Sequence, residues 1–134
     1  MSASILVVED DPEIANILEY LLKYEGYKIN LIADGQQAYD LVTKEPEGEE
    51  TPVPDVVLLD IMLPHVDGIQ ICTAIRSTPR WKNVPVIMLT AKTQDISVSF
   101  ATRAGADDYI IKPFSPQDVL TRIREAREKK ASAE

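Results

Sequence analysis

Val56-Val57-Leu58-Leu59-Asp60 is the stretch on which the fold turns. Four apolar residues follow one another with no polar alternate, so this strand offers no face to water. Strands covered on both faces belong to parallel sheets wrapped by helices. The pattern recurs to either side. Ile5-Leu6-Val7-Val8 runs into Glu9-Asp10-Asp11, Val86-Ile87-Met88-Leu89 into Thr90, and Tyr109-Ile110-Ile111 into Lys112-Pro113. A further strand is expected near 28–32.

Helical periodicity fills the intervals. Ile14, Ile17, Leu18, Leu21 and Leu22 keep one face within 12–25, with Asp11-Pro12 as a start signal and Gly26 as a stop. A short helix carries Ala38, Leu41 and Val42. Another starts near Asp67-Gly68 and carries Ile71, Cys72 and Ile75. A weaker one covers about 95–104. The last opens at Ser115-Pro116-Gln117-Asp118, a capping arrangement, and carries Val119, Leu120 and Ile123. Alternating strands and helices predict an α/β fold with a parallel sheet. The stretch 44–54 is rich in Glu, Pro and Gly and reads as a solvated acidic loop. The charged tail from Glu125 is expected to fray.

At 134 residues the chain fits one domain. That length buries enough surface to fold without a disulfide or metal. One cysteine, Cys72, forms no internal disulfide, and one histidine, His65, builds no zinc site with it. No apolar run approaches the ~20 residues of a membrane span. The opening MSASILVVEDD lacks a basic region, so no secretory signal is expected, and a cytoplasmic protein is. A net charge of -8 argues against direct nucleic-acid binding, because the phosphate backbone repels it.

The chemistry lies where four of the five strands stop. In open α/β sheets, sites form beyond the carboxyl ends of the strands, where the strand order reverses. Right-handed crossovers bring Glu9, Asp10, Asp60, Thr90 and Lys112 to that edge. Asp11 reads as a helix cap. Clustered carboxylates repel one another unless a cation joins them. Oxygen donors in an open site favour magnesium over zinc. A carboxylate beside such an ion can attack phosphorus and form an acyl phosphate, with a lysine and a hydroxyl holding the phosphoryl oxygens.

The segments ILVVEDD, LLDIMLPHVDG, PVIMLTA and GADDYIIKPF closely resemble the receiver domain of two-component response regulators, of chemotaxis and transcription-factor type. The resemblance covers about Ser4 to Arg127. It implies a doubly wound, flavodoxin-like (βα)5 fold with strand order 2-1-3-4-5. A receiver domain over 1–127 and a charged tail over 128–134 follow. Asp60 matches the phosphorylated aspartate. Glu9 and Asp10 match the acidic pair that holds Mg2+ directly or through water, with the backbone carbonyl of Met62 as third protein ligand; Mn2+ is expected to substitute. Lys112 matches the lysine that binds the phosphoryl group, Thr90 the hydroxyl that moves towards it, and Tyr109 the aromatic switch residue. Ala91 leaves room for the phosphoryl group, and Pro64 and Gly68 shape the turn into the next helix. The Lys112-Pro113 bond is expected to be cis.

The implied function is a phosphoacceptor signalling domain. A histidine kinase or histidine phosphotransfer protein donates the phosphoryl group. The surface of the fourth helix, fifth strand and last helix then switches towards an output partner, an output domain or a homodimer. No external substrate is expected to be turned over. An aspartyl phosphohydrolase would need a second aspartate where Met62 stands. An FMN-binding electron carrier would need a Ser/Thr/Gly-rich first loop, whereas Glu9-Asp10-Asp11 repels phosphate. A pure interaction module would not need the complete residue set. Glu9 departs from the commoner aspartate, but the charge is kept. Val98 and Phe100 stand where transcription-factor receivers often carry the charges of the usual dimer salt bridges. No DNA-binding segment follows the last helix, so a stand-alone receiver and a piece of a longer regulator both remain open.

Overall fold

A computed structural model describes residues 3–44, 53–91, 99 and 102–133. The strands are β1 (Ser4–Val8), β2 (Lys28–Ile32), β3 (Val56–Asp60), β4 (Val86–Ala91) and β5 (Asp108–Lys112). The helices are α1 (Pro12–Tyr24), α2 (Gly35–Thr43), α3 (Gly68–Ser77) and α5 (Pro116–Ala133). The helix read from the sequence near 95–104 is counted as α4. Most of it lies outside the described residues, Val98 and Phe100 included, while Ser99 and residues 102–104 are helical. The acidic stretch 45–52 also lies outside them.

The five strands form one parallel sheet in the order β2-β1-β3-β4-β5, as the resemblance implied. β3 is central, and every one of its residues is buried. Alternate strand residues feed two separate cores. Leu6, Val8, Val57, Leu59 and Met88 pack with Ala38 and Val42 of α2 and Ile71 and Ile75 of α3. Ile5, Val7, Leu58, Ile87 and Leu89 pack with Leu18 and Leu22 of α1 and Val119 and Ile123 of α5. The unbroken apolar runs follow directly, because both faces of each inner strand are covered.

Local signals set the helix ends. The Asp11 carboxylate accepts the Glu13 and Ile14 amides, with Pro12 opening α1. Gly26, at φ 92°, ends it in a conformation that suits glycine. Asp67 and Gln70 form a capping box on α3. Ser115 Oγ accepts the Asp118 amide at the start of α5. That helix then continues to Ala133, past the point where fraying was expected. Its Arg, Glu, Lys and Ala residues are charged or small, but they are good helix formers. No helix among the described residues is long and apolar enough to cross a membrane.

Candidate functional site: an acidic pocket at the strand ends

The sheet order reverses between β1 and β3, and the crevice opens there. Val8 pairs with Leu59, so the next residues, Glu9 and Asp60, leave adjacent strands at one level. On the other side, Asp60 pairs with Leu89, which brings Thr90 to the same edge; Ala91 in turn pairs with Lys112. Register alone therefore assembles residues spread from position 9 to 112. One carboxylate oxygen from each of Glu9, Asp10 and Asp60 lies within 4.8 Å of the others.

Glu9, Asp60 and Thr90 are buried, while Asp10 is exposed. Asp60 Oδ1 accepts the Met62 amide at 3.1 Å, and Oδ2 accepts Lys112 Nζ at 3.1 Å. Lys112 Nζ also lies 2.8 Å from Glu9 Oε1. That approach is an ion pair without hydrogen-bond alignment, so among the described residues the buried Oε1 has no hydrogen-bond partner. Glu9 Oε2 accepts the Asp11 amide at 3.1 Å. Among the described residues, Thr90 Oγ1 makes only a long bond, to the Ala91 carbonyl at 3.3 Å. The Lys112-Pro113 peptide is cis, as expected. Tyr109 and Met62 are exposed.

Electrostatics follow from this packing. Burial pushes the Glu9 carboxyl up, and the neighbouring Asp60 adds to the rise; Lys112 and the Asp11 amide oppose it. Burial pulls the Lys112 ammonium down, but Glu9 and Asp60 outweigh that and hold it above its ordinary value. Three carboxylates face one ammonium, which leaves the pocket with excess negative charge. An oxygen-only donor set, a buried carboxylate oxygen without a hydrogen bond and this excess charge fit a hard divalent cation such as Mg2+. The chain's one cysteine and one histidine lie elsewhere. Cys72 is buried in the core, and His65 Nδ1 sits 3.3 Å from Asp34 Oδ1.

Several contacts were not foreseen from the sequence. Its place in the motif marks Glu9 for the metal, and the residue also pairs with Lys112. His65, in the loop after Asp60, has φ 69°, an uncommon conformation for a residue with a Cβ. Gly68 has a steric role: a Cβ there would lie 2.3 Å from the Asp60 carbonyl oxygen. A glycine after an aspartate signals a turn, but it does not say what the backbone approaches.

The chain is 42% identical over 124 residues to the DNA-binding response regulator MtrA of Mycolicibacterium smegmatis; the match covers 92% of this chain and 50% of that protein. The chain thus spans about half the length of that relative. Among solved structures, a CheY-like response regulator receiver domain protein from Methanospirillum hungatei matches with TM-score 0.85 and 27% identity, covering 100% of both chains. The receiver domain of a Pseudomonas aeruginosa sensor histidine kinase matches with TM-score 0.83 and 30% identity, covering 96% of this chain and 99% of that one. That structure holds a magnesium ion in its active-site cleft. The family model for the response regulator receiver domain matches residues 5–124, nearly all of the sheet and its helices. On that match, and on an acidic pocket placed where a phosphoacceptor site requires it, this protein belongs to the receiver domains of two-component response regulators.

Proposed function

We propose that Asp60 is the phosphoacceptor of this receiver, and that a histidine kinase or histidine phosphotransfer protein is the donor. The observation that carries the reading is the placement of Asp60. It is buried at the end of the central strand, beside Glu9 and Asp10, with Lys112 Nζ at 3.1 Å. An Asp60 carboxylate oxygen forms the new bond to phosphorus. The N–P bond of the donor phosphohistidine breaks, and its electron pair returns to the imidazole. The product is an acyl phosphate on Asp60.

Glu9, Asp10, Asp60 and the Met62 carbonyl would hold Mg2+, directly or through water, and Mn2+ would substitute. When bound, the ion supplies positive charge next to the phosphoryl oxygens. The remaining work belongs to side chains. Lys112 exchanges the Asp60 carboxylate for a phosphoryl oxygen. Thr90 Oγ1, whose bond to the Ala91 carbonyl is long, turns to donate to another. Ala91 keeps the space beside them open. Met62 offers no general acid at its position, so nothing there protonates the leaving group of an external substrate.

Thr90 moving inward vacates space towards α4, and Tyr109 on β5 turns into it. Its ring gains cover and its hydroxyl stays near water. The face of α4, β5 and α5 then changes its affinity for an output domain or for a second copy of the chain. Such a module works in the cytoplasm, within reach of a kinase.

The test is labelling with a small acyl-phosphate donor. Mass spectrometry should show one phosphoryl group, only with Mg2+ or Mn2+ present, and none on Asp60→Asn. Undiminished labelling of that variant at another residue would sink the assignment.

A further inference from the structure

Arg76, near the end of α3, touches nothing in the acidic pocket. Its guanidinium nevertheless makes four hydrogen bonds. Nη1 donates to the Val84 carbonyl at 2.7 Å and the Lys82 carbonyl at 3.0 Å, both just ahead of β4. Nε donates to the Gly105 carbonyl at 2.8 Å, and Nη2 to Asp107 Oδ2 at 2.7 Å. The same Asp107 oxygen accepts the Val86 amide at 2.8 Å. One turn earlier on α3, Cys72 Sγ donates to the Ala104 carbonyl at 3.6 Å.

These contacts converge on the C-terminal end of α4. Residues 102–104 are helical, and Ala104 and Gly105 carry carbonyls of the kind a helix end leaves without partners. Here α3 supplies donors to both. Gly105 has φ 105°, and a Cβ on it would sit 2.7 Å from Arg76 Cγ. The end of the helix is therefore pressed against the arginine stem as well as hydrogen-bonded to its head.

We propose that Arg76 is a clamp that fixes the junction between α4 and β5 to α3, and so sets where a change started at Thr90 must stop. Residues 105–107 act as a fixed pivot. Rearrangement takes place upstream of Ala104 and at Tyr109, and the start of β5 keeps its place in the sheet. The pivot rests on the switch described above; the clamp itself does not.

Amide hydrogen exchange followed by NMR tests both. In the free wild-type protein, the Val86 and Asp107 amides should exchange slowly. Arg76→Lys keeps the charge but cannot reach four acceptors in one plane, and should speed both by about tenfold or more, the weight of one charged hydrogen bond. Asp107→Asn, a milder change, should speed Val86 by a smaller factor. Unchanged exchange in both variants would overturn the clamp. Beryllofluoride with Mg2+ is then added as a phosphoryl mimic. The Met62 and Ala91 amides should shift, while exchange at Val86 and Asp107 stays within about threefold of the free protein, a difference below 1 kcal/mol. Exchange at those two amides rising well beyond that would overturn the pivot. No shift at Met62 would instead count against Asp60 as acceptor, and the comparison of variants in the free protein would still decide the clamp.

Discussion

Asp10 and Asp11 are chain neighbours with the same charge and different work. Asp11 Oδ1 is occupied by two amides of α1, whereas Asp10 contributes an oxygen to the acidic cluster. Asp10→Asn should therefore weaken Mg2+ binding far more than Asp11→Asn, which keeps an oxygen for the cap. Asp11→Ala should instead cost about 1 kcal/mol of stability, as lost N-caps do. Titration calorimetry with Mg2+ and urea denaturation separate the two effects; equal loss of affinity in both Asn variants would break the assignment. Cys72 gives a second check at this scale. Burial pushes its thiol up to about 11, so it should resist iodoacetamide at pH 8 until the protein is unfolded. Mass spectrometry of native and denatured samples reads this directly.

Among the elements, the turn from β3 into α3 is tightly fitted. Gly68 approaches the Asp60 carbonyl so closely that Gly68→Ala forces the turn to move. A cost of about 1–3 kcal/mol is expected, together with weaker Mg2+ binding, because Met62 rides on the same turn. A variant as stable as wild type would show that the turn yields freely. The inner strands β1, β3 and β4 were legible in the sequence because burial on both faces leaves an unbroken apolar run, and each of these runs leads into a polar residue of the pocket. Capping residues Asp11, Asp67 and Ser115 marked helix starts by simple local rules. The length of α5 was not legible. Its charged residues suggested fraying, but they also favour helix, and composition does not decide between the two. The Glu9–Lys112 pair and the Arg76 contacts were equally hidden. Strand register brings Glu9 and Lys112 together from opposite ends of the chain, and Arg76 on α3 reaches both the loop ahead of β4 and the turn ahead of β5, which no local pattern announces.

At the scale of the whole molecule, the question is how far a change at the acidic pocket travels. A phosphoryl group adds about -1.5 to -2 charge. Amide shifts with and without beryllofluoride should extend from Asp60 and Thr90 into the 95–112 region, with Tyr109 among them and the Arg76-held junction at 105–107 spared. Shifts confined to the pocket would make the domain a phosphate sink. If the α4-β5-α5 face joins two copies, sedimentation should show mass rising with concentration in the mimic-bound form only.

The two cores on either side of the sheet have a consequence for how substitutions combine. Val57 and Leu58 are adjacent in β3, yet their side chains enter different clusters with no common member. Each shares its cluster with residues distant in the chain: Val57 with Ala38 and Ile71, Leu58 with Leu22 and Val119. A double-mutant cycle on Val57→Ala and Leu58→Ala should therefore be nearly additive, within about 0.5 kcal/mol. Leu58→Ala with Leu22→Ala should instead show an interaction energy of about 0.5–3 kcal/mol. Along this strand, epistasis skips the next residue and links every second one, so each side of the sheet can drift in sequence without consulting the other.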